Sequence, residues 1–338
     1  MGVNFRALDA NYDTIGILLP TDIQWSRSYY ECGTFSIQIP VDQYSNEMKY
    51  IYWKDRPELG VISQQNYEIK KSVQFVQLSG YFLENELNDK VIYPLYTSTG
   101  NIEDAVVDMV KTYSDDIPLL DTITASQSRG LSVDFQESNA TLANKAYELL
   151  KDSEMSIRMD YDYVTNSKTF SVWKGVDRTQ SQGENNFVVF STKFGNLENP
   201  NVYIEDTDYK NYAVIGGQAI DDVTIHTTLD LSGGGYQKQT YIDASSVAYD
   251  DTLITLAQYK LNLQTYAATK LGLSVNNVTF DAIADSYEYM SDYDLGDKCD
   301  IIIDEIGLEL EARIISIAEV IESNEHTITL EFGDQIIR

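Results

Sequence analysis

Two glutamates, Glu84 and Glu86, have the residue type that glycoside hydrolysis requires. That reaction uses a pair of carboxyl groups on either side of the scissile bond, held in a cleft at a set separation. At positions i and i+2 of a strand, however, both side chains point to the same face, as on an ordinary solvent-exposed side. We therefore predict no catalytic role for this pair.

Three aspartates, Asp292, Asp294 and Asp297, have the carboxylate oxygens that calcium prefers as ligands. The twelve-residue loop pattern of an EF-hand is absent around them. A turn that leads into a strand accounts for the same residues, because Asp is favoured in turns. We therefore interpret this set as a turn and not as a metal site.

Histidine and glycine indicate no further site. His226 and His326 are the only histidines, too few for a His-rich zinc site within one chain. Neither lies beside a Ser or Cys nucleophile motif. The Gly-Gly-Gly run at 233–235 does not lead from a strand into a helix, so it is not a phosphate-binding loop. The sequence thus predicts no catalytic, cofactor-binding or metal-binding residue.

Charge is the strongest signal in the composition. The 338 residues include 53 acidic and 24 basic side chains, which gives a formal net charge of −29. Such a chain repels phosphate, which disfavours specific binding of nucleic acid and of anionic membrane surfaces. Passage of DNA along an acidic wall, without binding, remains compatible with this charge.

Length and cysteine content set further bounds. A chain of 338 residues with 43% hydrophobic content favours two to three domains. Cys32 and Cys299 are too few for a disulfide scaffold, and we predict two reduced core thiols. No stretch approaches the ~20 apolar residues of a membrane-spanning helix, and no signal peptide or myristoylation motif opens the chain. We expect a soluble protein made in a cytoplasm, with no stable membrane insertion.

Residues 1–95 have the composition of strands, without helices. Phe35 and Ile37 alternate with polar neighbours, which predicts that both are core residues of a half-buried strand. The predicted strands are 16–19, 23–29, 34–39, 60–63 and 73–83. Together they indicate a β-barrel or sandwich.

Residues 96–200 contain both the apolar spacing of helices and that of strands. Asn101 is a candidate N-cap for a helix that starts at Ile102, and a second helix is predicted over 141–151. Strands at 155–163 and 169–174 follow, joined by a turn at 166–167. This pattern is typical of a small α+β insertion.

Residues 201–271 return to strands and end in a helix. Pairing of 203–206 with 211–217 is predicted, and 224–231 and 236–242 are interpreted as a hairpin around 232–235. A long helix is predicted over 252–271, capped by Asp250 or Asp251 and ended by Gly272.

The last stretch, 292–333, shows the clearest alternation. Leu308, Leu310, Ala312 and Ile314 share one face, and we predict that Leu310 is a core residue. The runs 297–303, 308–320 and 327–332 predict an antiparallel meander.

The predicted fold is mainly β with an α+β insertion. Residues 1–95 form a first β-barrel, completed by part of 201–220. Residues 96–200 form the insertion domain, and 221–338 form a second β-barrel that contains the long helix 252–271. A faint similarity links 59–80 with 295–333, since each begins with Leu-Gly and ends a strand at Gly.

Several motifs, in order, resemble the siphophage tail hub family, which also includes the N-terminal hub part of tail-associated lysins. They are Trp-Ser-Arg-Ser-Tyr-Tyr-Glu-Cys-Gly-Thr-Phe-Ser-Ile at 25–37, Asn-Tyr-Ala-Val-Ile-Gly-Gly at 211–217, Tyr-Asp-Leu-Gly-Asp-Lys at 293–298, Ala-Arg-Ile-Ile-Ser-Ile-Ala-Glu-Val at 312–320 and Thr-Leu-Glu-Phe-Gly at 329–333. The resemblance spans nearly the whole chain, and the family in turn is similar to the hubs of contractile-tail baseplates.

The resemblance implies a structural role and no enzyme activity. It implies a homotrimer in which two related barrels per chain form a six-barrel ring, joining a six-fold tail tube to a three-fold tip and enclosing a DNA conduit. The implied partners are a distal tail protein or the tail tube, a tape measure protein and tip or receptor-binding proteins. The implied location is the virion tail tip, after assembly in a bacterial host cytoplasm, whether from a phage or a prophage.

Two other functions remain open from the residues. A cell-wall-degrading tail enzyme would need a catalytic constellation, which the sequence does not provide. A carbohydrate-binding tail protein is favoured by the 25 tyrosines, because Tyr is rigid and amphipathic and suits interfaces and sugar sites. The chain ends soon after its last predicted strand, so we expect no C-terminal lytic or receptor-binding region.

Overall fold

Strands dominate the protein, as the sequence predicts. The computed structural model describes residues 4–70, 73–204, 209–220, 222–271, 275–282, 286–322 and 325–337. Among these residues, no helix is long and apolar enough to cross a membrane.

The N-terminal segment consists of strands and two short 3₁₀ helices. The strands are β1 (Phe5–Leu8), β2 (Thr14–Leu18), β3 (Asp22–Ser28), β4 (Thr34–Pro40), β5 (Tyr50–Trp53), β6 (Leu59–Lys70) and β7 (Val73–Phe82), and the 3₁₀ helices are Val41–Gln43 and Leu83–Asp89. Phe35 and Ile37 are buried, so their predicted core positions are confirmed. Strands β1 and β5 were not predicted, because four residues are too few to show a period.

The middle segment contains the two predicted helices. They are α1 (Ile102–Tyr113) and α2 (Leu142–Lys151), and the strands here are β8 (Tyr96–Asn101), β9 (Leu120–Ile123), β10 (Ser132–Glu137), β11 (Ser156–Asp162) and β12 (Ser167–Trp173). The Asn101 side chain accepts a 2.9 Å hydrogen bond from the backbone N–H of Glu103, which confirms the predicted N-cap. We call residues 96–174 the mixed unit.

Among its described residues, the C-terminal half adds nine strands and one helix. They are β13 (Val189–Ser191), β14 (Leu197–Ile204), β15 (Tyr212–Ile220), β16 (Val223–Asp230), β17 (Gln239–Asp243), α3 (Leu256–Lys270), β18 (Val275–Ala282), β19 (Lys298–Ile303), β20 (Leu308–Glu322) and β21 (Glu325–Ile337), with a 3₁₀ turn at Asp304–Ile306. Strands β19, β20 and β21 pair antiparallel, so the predicted terminal meander is confirmed. Leu310 is buried, as predicted.

One long sheet joins the two ends of the chain. Its strand order is β14-β18-β21-β20-β3-β4-β7-β6-β5-β1-β2, with β13 and β19 off this path. Strand β20 makes the link, because its first half pairs with β19 and its second half, from Ser316, pairs with β3. Two register shifts in its pairing with β21 accompany this change of partner.

The two predicted β-barrels are not observed among the described strands, and no described sheet closes on itself. Closure would require pairing between terminal strands, whereas β2 and β14 lie at opposite ends of one path. The shared strand β20 instead merges the N-terminal and C-terminal strands into a single open sheet. The alternation of apolar residues, on which the prediction rested, does not distinguish an open sheet from a closed one.

Strand pairing over 201–243 also differs from the prediction. Strand β14 pairs with β18, and β15 pairs with β16 and β17, so these two described strands do not pair with each other. The interpretation of 224–242 as a hairpin is wrong as well. Strand β15 lies between β16 and β17, and it runs parallel to β17. The glycine-rich segment 232–235 therefore belongs to a connection that passes the end of β15.

Helix α3 starts later than predicted. Its N-cap is Thr255, whose hydroxyl accepts from the backbone N–H of Gln258, whereas Asp250 accepts from Thr252 in the preceding turn. The buried side of α3 consists of Tyr259, Leu263 and Ala267. Only this narrow stripe packs on the sheet, and Leu253 of the predicted apolar stripe is 79% exposed. Gly272, the predicted stop, lies outside the described residues.

Candidate functional site

Charged residues from distant parts of the chain meet inside the protein, between the long sheet and the mixed unit. They form three groups: the Arg27 cluster (Arg27, Glu58, Tyr289 and Asp294), the Glu154 cluster (Lys174, Glu154, Lys298 and Arg313) and the Glu84 crevice (the narrow space around Glu84 that Arg27, Glu58 and Asp160 also line). Their common feature is that each joins segments far apart in sequence.

The Arg27 cluster connects the N-terminal strands with the turn before β19. Arg27, on β3, forms an ion pair with Glu58, and both side chains are buried. The same guanidinium donates to Asp294 at 2.6 Å and to the Tyr289 hydroxyl at 2.8 Å. A buried charge is stable only when its hydrogen-bonding capacity is satisfied in this way. Burial raises the pKa of Glu58, and the Arg27 charge opposes that shift.

A neighbouring ion pair links the segment before β6 with strand β20. Arg56 forms a two-pronged pair with the buried Glu319, with Nε to Oε1 at 2.6 Å. The guanidinium also lies over the Trp53 ring, 4.6 Å from its centroid. Burial alone would raise the pKa of Glu319, but His326 and Arg56 lower it.

The Glu154 cluster connects the mixed unit with β19 and β20. Glu154 follows α2 and faces three cations: Arg313 at 2.7 Å, Lys298 at 2.9 Å and Lys174 at 3.2 Å. Arg313 also donates to the carbonyl of Gly296. Burial would raise the pKa of Glu154, but the charges of Arg313, Lys298 and Lys174 lower it to about 2.

In the Glu84 crevice the pKa of the buried carboxylate is raised, whereas that of Glu154 is lowered. Glu84 is 8% exposed and accepts a 3.1 Å hydrogen bond from the backbone N–H of Met159, on β11. Its other oxygen has no hydrogen-bond partner in the structure. Burial raises the pKa of Glu84 to about 7. The narrow crevice around it is also lined by Arg27, Glu58 and Asp160, among others.

Glu84 and Glu86 do not form an acid pair. Both lie in the 3₁₀ helix Leu83–Asp89 and not on a strand, so the predicted exposed, shared face is wrong. Glu86 forms a 2.6 Å ion pair with the buried Lys168, which also donates to the Tyr12 hydroxyl at 2.7 Å. Each glutamate thus binds a different part of the mixed unit, which fits a structural role.

The three aspartates are used for turns and ion pairs. Asp292 accepts from the backbone N–H of Glu288, Asp294 pairs with Arg27, and Asp297 accepts 2.6 Å and 2.7 Å bonds from Arg178 and from the Val176 N–H. The predicted turn is therefore present. In the part of the chain that the structure describes, no group of three or more His, Cys, Asp or Glu residues is placed to hold a metal.

Histidines and cysteines lie apart from one another. His226 is exposed on β16 and approaches the Thr224 carbonyl, whereas His326, on β21, lies 3.2 Å from Glu319. Cys32 and Cys299 are free thiols, as predicted, with Cys299 fully buried and Cys32 partly exposed at the edge of a core. Burial raises the pKa of the Cys32 thiol to about 12, which leaves it unreactive at neutral pH.

Sequence reasoning missed the residues that organise this region. The alternation along β20 places Arg313 on the face opposite Leu310 and Ala312, where an exposed side chain is expected. In the structure the Arg313 side chain is buried. Glu154, Glu58 and Lys168 stand in polar stretches where a charge is ordinary. Their roles depend on partners outside the local stretch, about which a local pattern carries no information; Arg313 and Glu154, for example, are separated by 159 positions.

Comparisons with known proteins give one family and a shared fold. A protein-family model described as "Siphovirus ReqiPepy6 Gp37-like protein" matches residues 4–334. No curated protein matches the chain. The tail protein from Neisseria meningitidis MC58 has a similar structure, with a TM-score of 0.66 and 13% identity over 98% of this chain and 96% of that one.

Two further solved structures share the fold. The prophage MuSo2 43 kDa tail protein from Shewanella oneidensis gives a TM-score of 0.64 at 11% identity, with 98% of both chains covered. The prophage tail protein gp18 from Listeria monocytogenes EGD-e gives 0.63 at 13% identity, with 98% of this chain and 95% of that one covered. At such low identity these likenesses define the fold alone, and they extend over nearly the full length of each chain.

Proposed function

The chain belongs to the family of Siphovirus ReqiPepy6 Gp37-like proteins, and from this premise we propose that it is a structural hub of a phage tail tip that assembles as a homotrimer. The observation that carries the proposal is the fold, which matches tail proteins from three bacterial sources over nearly the entire chain. The motifs at 25–37, 211–217 and 293–333 support the same family.

The internal ion pairs support a structural role. The Arg27 and Glu154 clusters connect β3, β19, β20 and the mixed unit. A tail component that transmits force would need these parts to keep fixed positions relative to one another. Buried pairs of this kind are costly to break, since removal of one partner leaves an uncompensated charge. In this proposal the clusters fix the angle between the mixed unit and the long sheet.

The hub is proposed to join a six-fold tail tube to a three-fold tip. Three chains, each with two related sheet-bearing parts, would present six similar surfaces to the tube, and closed cyclic symmetry fits such a ring. The proposed partners are a distal tail protein or the tail tube, a tape measure protein, and tip or receptor-binding proteins. Assembly would take place in the host cytoplasm.

The charge supports a DNA conduit through the ring. Among the residues that the structure describes, at least twelve Lys and Arg side chains form ion pairs within the chain, which lowers the number available to bind phosphate. A trimer of chains with net charge −29 would repel DNA and allow it to pass. We propose that part of this acidic excess lines the central opening.

The proposed hub is not an enzyme. Glu84 and Glu86 have separate structural partners, so the two carboxyl groups do not form the acid pair that glycoside hydrolysis requires. Purified protein incubated with host cell walls is expected to release no soluble fragments. Reproducible release that is lost in Glu84→Gln would favour the cell-wall-degrading alternative.

Electron microscopy of the purified protein tests the architecture. We expect class averages with three-fold symmetry and a central opening, and an acidic wall in the resulting map. Particles of a single chain, or a ring whose inner wall carries mainly Lys and Arg, would contradict the hub or its conduit role, respectively.

A further inference from the structure

The three-stranded sheet β16-β15-β17 has one covered face and one open face. Helix α3 packs on the side of Ala213 and Ile215, where it buries Tyr259 and Leu263. Because side chains alternate along a strand, the registers of β15 with its two neighbours place a second set on the opposite side. This open face consists of Tyr212, Val214, Gly216, His226, Thr228, Asp230, Gln239, Tyr241 and Asp243.

Tyr241 occupies the middle of the open face. Its neighbour across the ladder is Val214, and its hydroxyl reaches over Gly216, where a Cβ atom would lie only 1.9 Å from it. The ring therefore leans across β15 toward His226 of β16, whose ring centroid is 6.3 Å away. Although it rests on the sheet in this way, the Tyr241 side chain is 58% exposed. A glycine at 216 is what gives the ring this position.

The groups around the ring suit a polar, uncharged ligand. Thr228, His226 and Gln239 are exposed and offer hydrogen-bond donors and acceptors beside the aromatic surface. Asp230 and Asp243 lie at its two ends, and each also accepts hydrogen bonds from an adjacent turn. The nine residues of the open face include two carboxylates and no Lys or Arg, so the negative charge of this face repels an anionic ligand.

We propose that this open face binds a neutral carbohydrate, with a pyranose ring stacked on Tyr241. The apolar C–H side of a sugar ring packs on an aromatic ring, while its hydroxyls exchange hydrogen bonds with the surrounding amide, hydroxyl and carboxylate groups. The absence of cations on this face argues against nucleic acid and anionic polysaccharide. The inference concerns a ligand site and stands independently of the oligomeric state proposed above.

Saturation-transfer NMR on the full chain tests the proposal, with chitohexaose, cellohexaose and maltohexaose as neutral probes and polygalacturonate as the anionic probe. We expect saturation of at least one neutral probe and none of the anionic one. Tyr241→Ala should weaken that binding at least tenfold. Gly216→Ala should weaken it as well, because the added methyl group displaces the ring without removing it.

A matched control separates this site from exposed tyrosine in general. Tyr67, on β6, is 54% exposed and lies on a different sheet, so Tyr67→Ala should leave binding unchanged. Thermal unfolding of each variant verifies that it is folded. The proposal is wrong if no neutral probe binds, if the anionic probe binds in preference, or if folded Tyr241→Ala binds as the unmodified protein does.

Discussion

Glu84 and Glu154 both lie where the mixed unit meets other parts of the protein, yet their pKa values are shifted in opposite directions. Burial raises the pKa of Glu84 to about 7, because the backbone hydrogen bonds that this carboxylate accepts offset the effect of burial only in part. Burial acts on Glu154 as well, but three cations outweigh it and lower the pKa to about 2. The difference shows that the number of facing charges, and not depth alone, decides whether a buried carboxylate strengthens a contact.

The two positions imply different uses. Glu154 stabilises the contact in its ionised form, so the cluster is at full strength at neutral pH. Glu84 is tolerated best when protonated and becomes a local source of instability when it ionises. Four substitutions test this contrast between Glu84 and Glu154.

Removal of Arg313 should have the largest effect. Arg313→Ala removes the nearest of the three cations that face the partly buried Glu154, and it leaves the carbonyl of Gly296 without the guanidinium that donates to it. We expect a loss of about 3–5 kcal/mol in the free energy of unfolding, as for other buried pairs that lose one partner. Urea unfolding monitored by fluorescence provides the measurement. A loss under about 1 kcal/mol would mean that the Glu154 cluster does not hold the mixed unit to β20.

Glu84→Gln should stabilise the protein at pH 8. The pKa of Glu84 is raised in the folded state, so its stabilising contribution is complete below about pH 4.5 and is lost as the pH rises through about 7. The neutral amide avoids the cost of an ionised buried carboxylate, and we expect a gain of about 2–3 kcal/mol at pH 8. The gain should shrink as the pH falls toward 5. Equal effects at both pH values would show that the burial of charge is not the cause.

Glu154→Gln should have the opposite sign. Its pKa is lowered in the folded state, so its contribution is present above about pH 4.5 and is lost as the pH falls toward 2. Because the Glu154 side chain is 33% exposed, solvent screening reduces the effect, and we expect a loss of about 1–2 kcal/mol at pH 7. Unfolding curves at pH 7 and pH 2.5 provide the comparison. A stabilising effect at pH 7 would contradict the contrast with Glu84.

Arg158→Ala should have the smallest effect and serves as the control for Arg313. Arg158 pairs with Asp160 at 3.1 Å beside the Glu84 crevice, but its side chain is 42% exposed. Exposed pairs contribute little, so we expect a loss below about 1 kcal/mol in the same urea assay. A loss as large as that of Arg313→Ala would show that exposure does not separate the two arginines.

Local patterns predicted the elements better than their arrangement. The alternation through Phe35, Ile37 and Leu310 identified core strands, and Asn101 identified the start of α1, because both signals lie within a few residues of the chain. The pairing of β14 with β18 and the parallel pairing of β15 with β17 join strands that are not consecutive in the chain. The period of apolar residues does not select among such partner strands, which is why the hairpin was predicted wrongly and the two barrels are not confirmed.

The clusters show the same limit for charged residues. The turn at Asp292, Asp294 and Asp297 was predicted from its composition, whereas its ion pairs with Arg27 and Arg178 were not. Glu84 was assigned to an exposed strand face because acidic residues usually lie in water. Glu84 is buried because a 3₁₀ helix follows β7 directly and turns this side chain inward. The spacing of Glu84 and Glu86 alone does not show that the strand has ended.

The mass of the protein in solution tests the hub proposal most directly. Light scattering coupled to size-exclusion chromatography, over a range of protein concentrations, should give three times the 38.3 kDa mass of one chain. Arg158→Ala should give the same mass, since its pair lies within one chain. A mass of one or two chains at every concentration would contradict the homotrimeric hub.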